Sequence, residues 1–238
     1  MLRLQDTDRL WVKQIKSALM ENRFRLVQQP IASLVGEDLG MFDVLVRMLD
    51  EQGQEVLPSL FMPAAERNDL MKNIDRWVIG AAMSFCASRK PGALFVRLSQ
   101  ETLSDTSLPA WLANQLKTTR IEPPRIVFQI REEVASQQIK EAIALQGALR
   151  GLKFRFAIEG FGLGRDAEQL LGHLSPDFVK IHGALMQGLS ADQDKQSRVK
   201  LLVDLARSRK AVTIGERVQD ANTMAVLWQL GVEFIQGY

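Results

Sequence analysis

Cysteine is nearly missing from this 238-residue chain, with Cys86 as its single example. One thiol excludes an internal disulfide framework and a cysteine-rich zinc site, and it fits a reducing compartment. Its setting, Trp77-Val-Ile-Gly-Ala-Ala-Met-Ser-Phe-Cys86, reads as a buried position on a helix. No run approaches the ~20 apolar residues that cross a bilayer. The N-terminal Met1-Leu-Arg-Leu-Gln-Asp-Thr-Asp8 lacks the apolar core of a secretory signal, so a cytoplasmic location is expected. Low-complexity tracts, Pro/Gly/Ser linkers and fixed-period repeats are also missing. Net charge is slight, +2. It supplies no whole-protein field for nucleic acid or an anionic membrane, and leaves any anionic ligand to a local site.

What is present is apolar and alternating. Hydrophobic residues make up 46% of the chain, enough for one large core. Runs rich in Val, Ile and Phe occur at 24–29, 44–49, 94–98, 125–130, 153–158, 178–181, 211–214 and 232–236. Several lack polar alternation, as strands covered on both faces do. Between most of them lie segments with three-to-four-residue apolar spacing, such as Ile74…Trp77-Val78…Ala81. That alternation predicts parallel βαβ units, and eight strands fit a closed (β/α)8 barrel of the TIM type with its chemistry at one rim. One connection differs. Between residues 29 and 44 there is no room for a crossover helix, and Gly36 and Gly40 supply turn signals, so the first strand is expected to run antiparallel. Residues 1–22 read as a helix continuing from an upstream domain, and residues 23–238 as the barrel domain.

A series of motifs follows in order: Gln28-Gln29-Pro30-Ile31, Asp43-Val44-Leu45-Val46-Arg47, Leu57-Pro58-Ser59-Leu60-Phe61-Met62-Pro63-Ala64-Ala65-Glu66-Arg67, Val96-Arg97-Leu98-Ser99, Gln129-Ile130-Arg131-Glu132, Ile158-Glu159-Gly160-Phe161-Gly162-Leu163-Gly164, Lys180-Ile181-His182, Gly215-Glu216-Arg217-Val218-Gln219 and Gln236-Gly237-Tyr238. Together they resemble the motifs of the EAL-domain family, the cyclic-di-GMP phosphodiesterases, over residues 22–238.

The resemblance implies a two-metal site built from Glu, Asn, Glu, Asp and Asp at successive strand ends. Here the matching positions hold Asp43, Arg97, Gln129, Glu159 and Gly160, with His182 in place of a further Asp. Gly160 deletes a ligand and Gln129 loses its charge. Arg97 puts a fixed positive charge where a dication would sit, and Asp43 and Glu159 change length by one methylene. Lys180 and Glu216 match the family's lysine and general base. No catalytic residue set and no metal or other cofactor is therefore expected, only a degenerate phosphodiesterase.

The groups that the resemblance assigns to ligand contact are better kept. Leu45 and Arg47 match the Leu and Arg of the signature, Gln29 a glutamine facing a guanine, and Asp75 a position near the ligand. Arg97 is a candidate counter-charge for the phosphates, its alternative being a partner for Asp43 or Glu159. Asp75 has the alternative of a helix-start residue, and Gln29 that of a strand-end hydrogen bonder. Within the family the likeness points to non-catalytic receptors of type IV pilus assembly and twitching motility, which sit behind a degenerate cyclase domain and engage a PilZ-domain adaptor. The expectation is a cyclic-di-GMP receptor. A protein-interaction module without nucleotide, or a weak phosphodiesterase, stands as the alternative.

Overall fold

The computed structural model describes residues 3–237; Tyr238, the last residue of the final motif, and the first two residues of segment 1–22 lie outside them. Helix α1 (Leu4–Met20) leads into strands β1 (Phe24–Ser33), β2 (Met41–Leu49) and β3 (Glu55–Val56). Then come α2 (Pro58–Arg67), α3 (Met71–Arg89), β4 (Ala93–Arg97), α4 (Gln100–Leu103) and α5 (Leu108–Thr119). They are followed by β5 (Ile126–Arg131), α6 (Glu132–Gln137), α7 (Ile139–Gly151), β6 (Arg155–Phe161) and α8 (Ala167–His173). The last elements are β7 (Phe178–Ile181), α9 (Gln193–Ser208), β8 (Val212–Gly215), α10 (Ala221–Leu230) and β9 (Phe234–Gln236).

The sheet closes on itself. β2, β4, β5, β6, β7, β8 and β9 are parallel neighbours, and β1 closes the ring by pairing antiparallel with both β9 and β2. This is the expected (β/α)8 barrel with a reversed first strand. The sequence gives no signal for β3, which pairs only through Met48↔Val56 and Leu49↔Glu55 and is too short for any periodicity.

The interior is layered, because alternate residues of each strand face inward. Ile31, Met41, Phe95, Val127, Ala157, Phe178, Ile214 and Phe234, one from each of the eight barrel strands, form a buried apolar plug. Two residues further toward the upper rim, where the parallel strands end, the inward positions turn polar: Gln29, Asp43, Arg97, Gln129, Glu159, Lys180, Glu216 and Gln236. Lys180 Nζ rests 4.8 Å from the Phe95 ring centroid, at the boundary between the two layers.

Outside the barrel, α1 is packed against the body. Ile15 and Ala18 are fully buried, and the Arg67 guanidinium on α2 donates to both oxygens of Asp8 at 2.9 and 2.7 Å. Cys86 is buried, as its helical setting implied. Among the described residues no helix is long and apolar enough to cross a membrane.

Candidate functional site

The polar layer is held by two ion pairs. Asp43, near the start of β2, accepts from Lys180 Nζ at 2.9 Å, from Gln236 Nε2 at 2.6 Å and from Gln129 Nε2 at 2.8 Å. Burial works against this carboxylate, yet the Lys180 ammonium, the Gln236 amide and the Arg97 charge hold its pKa below the usual range. The buried lysine and aspartate therefore neutralise each other at the base of the site. Gln236 Nε2 also donates to Gln29 Oε1 at 2.7 Å, while Gln29 Nε2 donates to the Gly237 carbonyl at 2.9 Å. Gln129 Oε1 and Gln236 Oε1 have no hydrogen-bond partner among the described residues.

The second pair lies higher. Arg97, the last residue of β4, grips Glu159 of β6 with two parallel N–H bonds, from Nε and Nη2. The Glu159 charge raises the Arg97 pKa. Glu159 is buried, whereas the Arg97 side chain keeps 46% of its surface exposed, and Nη1 makes no hydrogen bond to the described residues. Of the two partners that the sequence left open for Arg97, the structure brings it to Glu159.

Gly160 has φ +61, at an irregularity in the β6–β7 pairing that a side-chain-bearing residue would enter with strain. Its N–H donates to Glu216 Oε1 at 2.9 Å. Burial pushes the Glu216 pKa up to about 7, against that hydrogen bond. His182 accepts the Ala184 N–H at Nδ1, 2.9 Å, in the turn after β7, and burial and Arg217 lower its pKa. It caps a turn.

A dication pair does not fit this donor set. Among the described residues no three His, Cys, Asp or Glu side chains converge as metal ligands. Asp43 is neutralised by Lys180 and Glu159 by Arg97, and Gly160 offers no donor.

Above the layer, two cavities of about 910 and about 1100 Å3 run along the rim and share Leu45, Arg97, Arg131 and Glu133. Gln29, His182 and Glu216 line the first, and Arg47, Met62, Asp75 and Ser99 the second. The five candidate ligand residues thus lie along one groove, with Leu45 and Arg97 at its middle. Among the described residues Arg47 is tied only by a bond from Nη1 to its neighbour's carbonyl, that of Val46, at 3.0 Å.

Asp75 differs from the helix-start alternative. It is the fifth residue of α3, so it does not cap the helix that carries it. Its Oδ2 accepts from Ser99 N at 2.9 Å, Ser99 Oγ at 2.7 Å and Thr102 Oγ1 at 2.6 Å. Burial raises its pKa in spite of those bonds. The contact with Ser99 and Thr102 fixes the turn that follows Arg97, a role that the sequence could not reveal because the partners lie 24 and 27 residues away.

Gln236 was another site residue hidden as a mere motif ending, although its inward register two residues past Phe234 is a usable signal. Glu132 was a third. Its carboxylate accepts from the Gly162 and Gly164 N–H groups, both at 3.1 Å, and so shapes the loop beside the first cavity.

Comparison with known proteins places this geometry. The structure matches the EAL domain of FimX from Pseudomonas aeruginosa bound to c-di-GMP with a TM-score of 0.91, at 37% identity over 96% of this chain and 93% of that one. It matches the Xanthomonas citri FimX EAL domain in complex with c-diGMP with a TM-score of 0.92, at 27% identity over 98% and 92% of the two chains. Escherichia coli (strain K12) cyclic di-GMP phosphodiesterase PdeF is 27% identical over 231 residues, which are 95% of this chain but 31% of the relative. PdeB of Shewanella oneidensis is 29% identical over 96% of this chain and 27% of its own length. The chain therefore spans about a third or less of these relatives. The EAL domain model matches residues 12–238, and the chain belongs to the EAL-domain family.

Proposed function

We propose that this domain is a receptor that binds cyclic-di-GMP without a metal ion and does not hydrolyse it. The observation that carries the reading is the Arg97–Glu159 fork at the centre of the groove. It sets a guanidinium where the catalytic family needs a cation, with one nitrogen uncommitted. A fixed guanidinium can hold a phosphate oxygen, but it cannot deliver the activated water that a metal supplies.

The groove suits a dinucleotide with a base toward each end. Gln29 offers an amide to one base edge in the first cavity. Arg47 and the open side of Asp75 face the second, and Leu45 and Arg97 lie between them at the phosphates. The similar FimX domains are bound to the same dinucleotide. By the same likeness the domain acts in the cytoplasm, downstream of a degenerate cyclase domain, and passes ligand occupancy to a PilZ-domain adaptor in control of type IV pili and twitching motility.

A weaker reading, residual hydrolysis, is favoured by the survival of Lys180 and of Glu216 with its near-neutral pKa. Titration calorimetry with cyclic-di-GMP in EDTA, followed by chromatography of the mixture, separates the possibilities. Binding with no linear dinucleotide formed is expected. Turnover on adding magnesium or manganese favours the hydrolase, and absence of any heat leaves only a protein-interaction module.

A further inference from the structure

The lower face of the barrel, where strands begin and most helices end, carries a charge that the whole-chain value conceals. Its seven connections, counted together with the helix and strand ends that flank them (33–41, 89–93, 117–126, 150–155, 173–178, 207–212 and 230–234), contain eleven Lys and Arg against five Asp and Glu. That is +6 on one face of a chain whose total is +2.

Four of these cations occupy unusual positions. Lys90, Arg120, Lys153 and Lys210 follow α3, α5, α7 and α9 with φ of +48, +55, +70 and +59. Glycine fills such a chain reversal without strain, and a side chain there crowds its own carbonyl. Attraction to helix C-termini explains cations in a last turn, but it does not require them at the left-handed residue. All four are exposed, and with Arg89 and Arg209 they form no ion pair and no side-chain hydrogen bond among the described residues.

Beside them the β1–β2 loop presents two aliphatic tips, Val35 at 61% and Leu39 at 59% exposure. The loop is seated on the entry to β4 by the Gly92 N–H donating to the Gly40 carbonyl at 2.9 Å. A Cβ on Gly92 would fall 1.7 Å from the Leu39 carbonyl oxygen, so this seat, two residues from Lys90, requires glycine. The loop's two acids, Glu37 and Asp38, are both exposed, Asp38 accepting the Ser33 N–H at 2.8 Å, and both are already counted in the net +6.

We infer that this lower face docks on an anionic phospholipid surface, its cations meeting headgroup phosphates and Val35 and Leu39 entering the interface. Unpaired cations beside protruding aliphatic side chains suit a lipid boundary, whereas a nucleic acid or an acidic protein would use the charges and leave the tips unused. The groove at the opposite rim stays open to its ligand.

Co-sedimentation of the chain with phosphatidylcholine vesicles, with and without phosphatidylglycerol, tests this. Binding is expected only with phosphatidylglycerol, and high salt should abolish it. Replacing Lys90, Arg120, Lys153 and Lys210 together by Gly should reduce the bound fraction roughly tenfold or more without lowering the thermal melting midpoint. If glycine lowers melting, Asn at the same four positions, which also tolerates this backbone, repeats the comparison. Val35→Ser with Leu39→Ser should give a smaller loss. Equal binding to neutral vesicles, no binding at low salt, unchanged binding of the four-site variants, or displacement from vesicles by duplex DNA or polyglutamate at matched charge overturns the inference.

Discussion

The two ends of this barrel are both rich in arginine and lysine, but they use them differently. At the upper rim the central cations are bound to acids: Lys180 to Asp43 and Arg97 to Glu159. On the lower face six exposed cations have no acidic partner among the described residues, and four of them sit in a strained backbone conformation. The contrast shows that pairing, rather than charge count, decides what a basic residue does. Paired cations hold a pocket together and offer a ligand only what the pairing leaves over, such as the free nitrogen of Arg97, while unpaired ones remain wholly available to something outside the molecule.

The sharpest way to break this contrast is Lys180→Met. It leaves Asp43 buried without its counter-charge, and a loss of about 3–5 kcal/mol in urea-unfolding free energy is expected. A loss below about 1 kcal/mol would mean that the pair is not what holds the base of the site.

Arg97→Ala comes next. Its partner is buried, but the arginine is half exposed, so the stability loss should be about 1–2 kcal/mol. Cyclic-di-GMP affinity by calorimetry should fall roughly tenfold or more. Adding Glu159→Gln should restore stability but not affinity; if affinity also returns, Arg97 serves only to neutralise the glutamate.

Glu216 sharpens the comparison through pH. Its folded pKa of about 7 stands above the ordinary 4.5, so the folded state favours the neutral acid. That preference contributes stability fully below the unfolded value and is lost as pH rises through the folded one. Between about pH 5 and about pH 8 the parent should lose about 1–2 kcal/mol relative to Glu216→Gln, after allowance for solvent at the open rim, as measured by paired thermal melts. A parallel pair of curves would show that Glu216 titrates normally. The smallest effect belongs to the lower face, where Lys90→Gly should raise stability by about 1 kcal/mol, opposite in sign to every cation removal at the upper rim.

Much of the barrel was legible because its signals are local. Continuous apolar runs marked seven of the eight barrel strands within three residues at either end, and the short β1–β2 link required a reversal of direction. Strand β1 was the exception: its run stopped at residue 29, whereas the strand continues to Ser33 through Pro30, a residue that propensity alone places at a strand's end. The site was legible as a set of positions, since Asp43, Arg97, Gln129 and Glu159 fall in one inward-facing layer of the barrel with Gly160 beside it, and Gln29, Leu45, Arg47, Asp75 and Arg97 all line the groove. The partners were not. Asp75 bonding Ser99 and Thr102, Gln236 bridging Gln29 and Asp43, and Glu132 clamping the 162–164 loop join residues far apart in the chain, and no spacing rule connects them.

By itself the sequence determined the alternation that makes a barrel, the replacement of hard oxygen ligands by Arg97, Gln129 and Gly160, and the family to which these changes apply. Only the tertiary structure decided which cation neutralises which acid, and that six exposed cations with no acidic partner among the described residues share the lower face. The physical reason is that residue type and period are written along the chain, whereas Coulomb energy depends on distances that exist only after strands close into a ring.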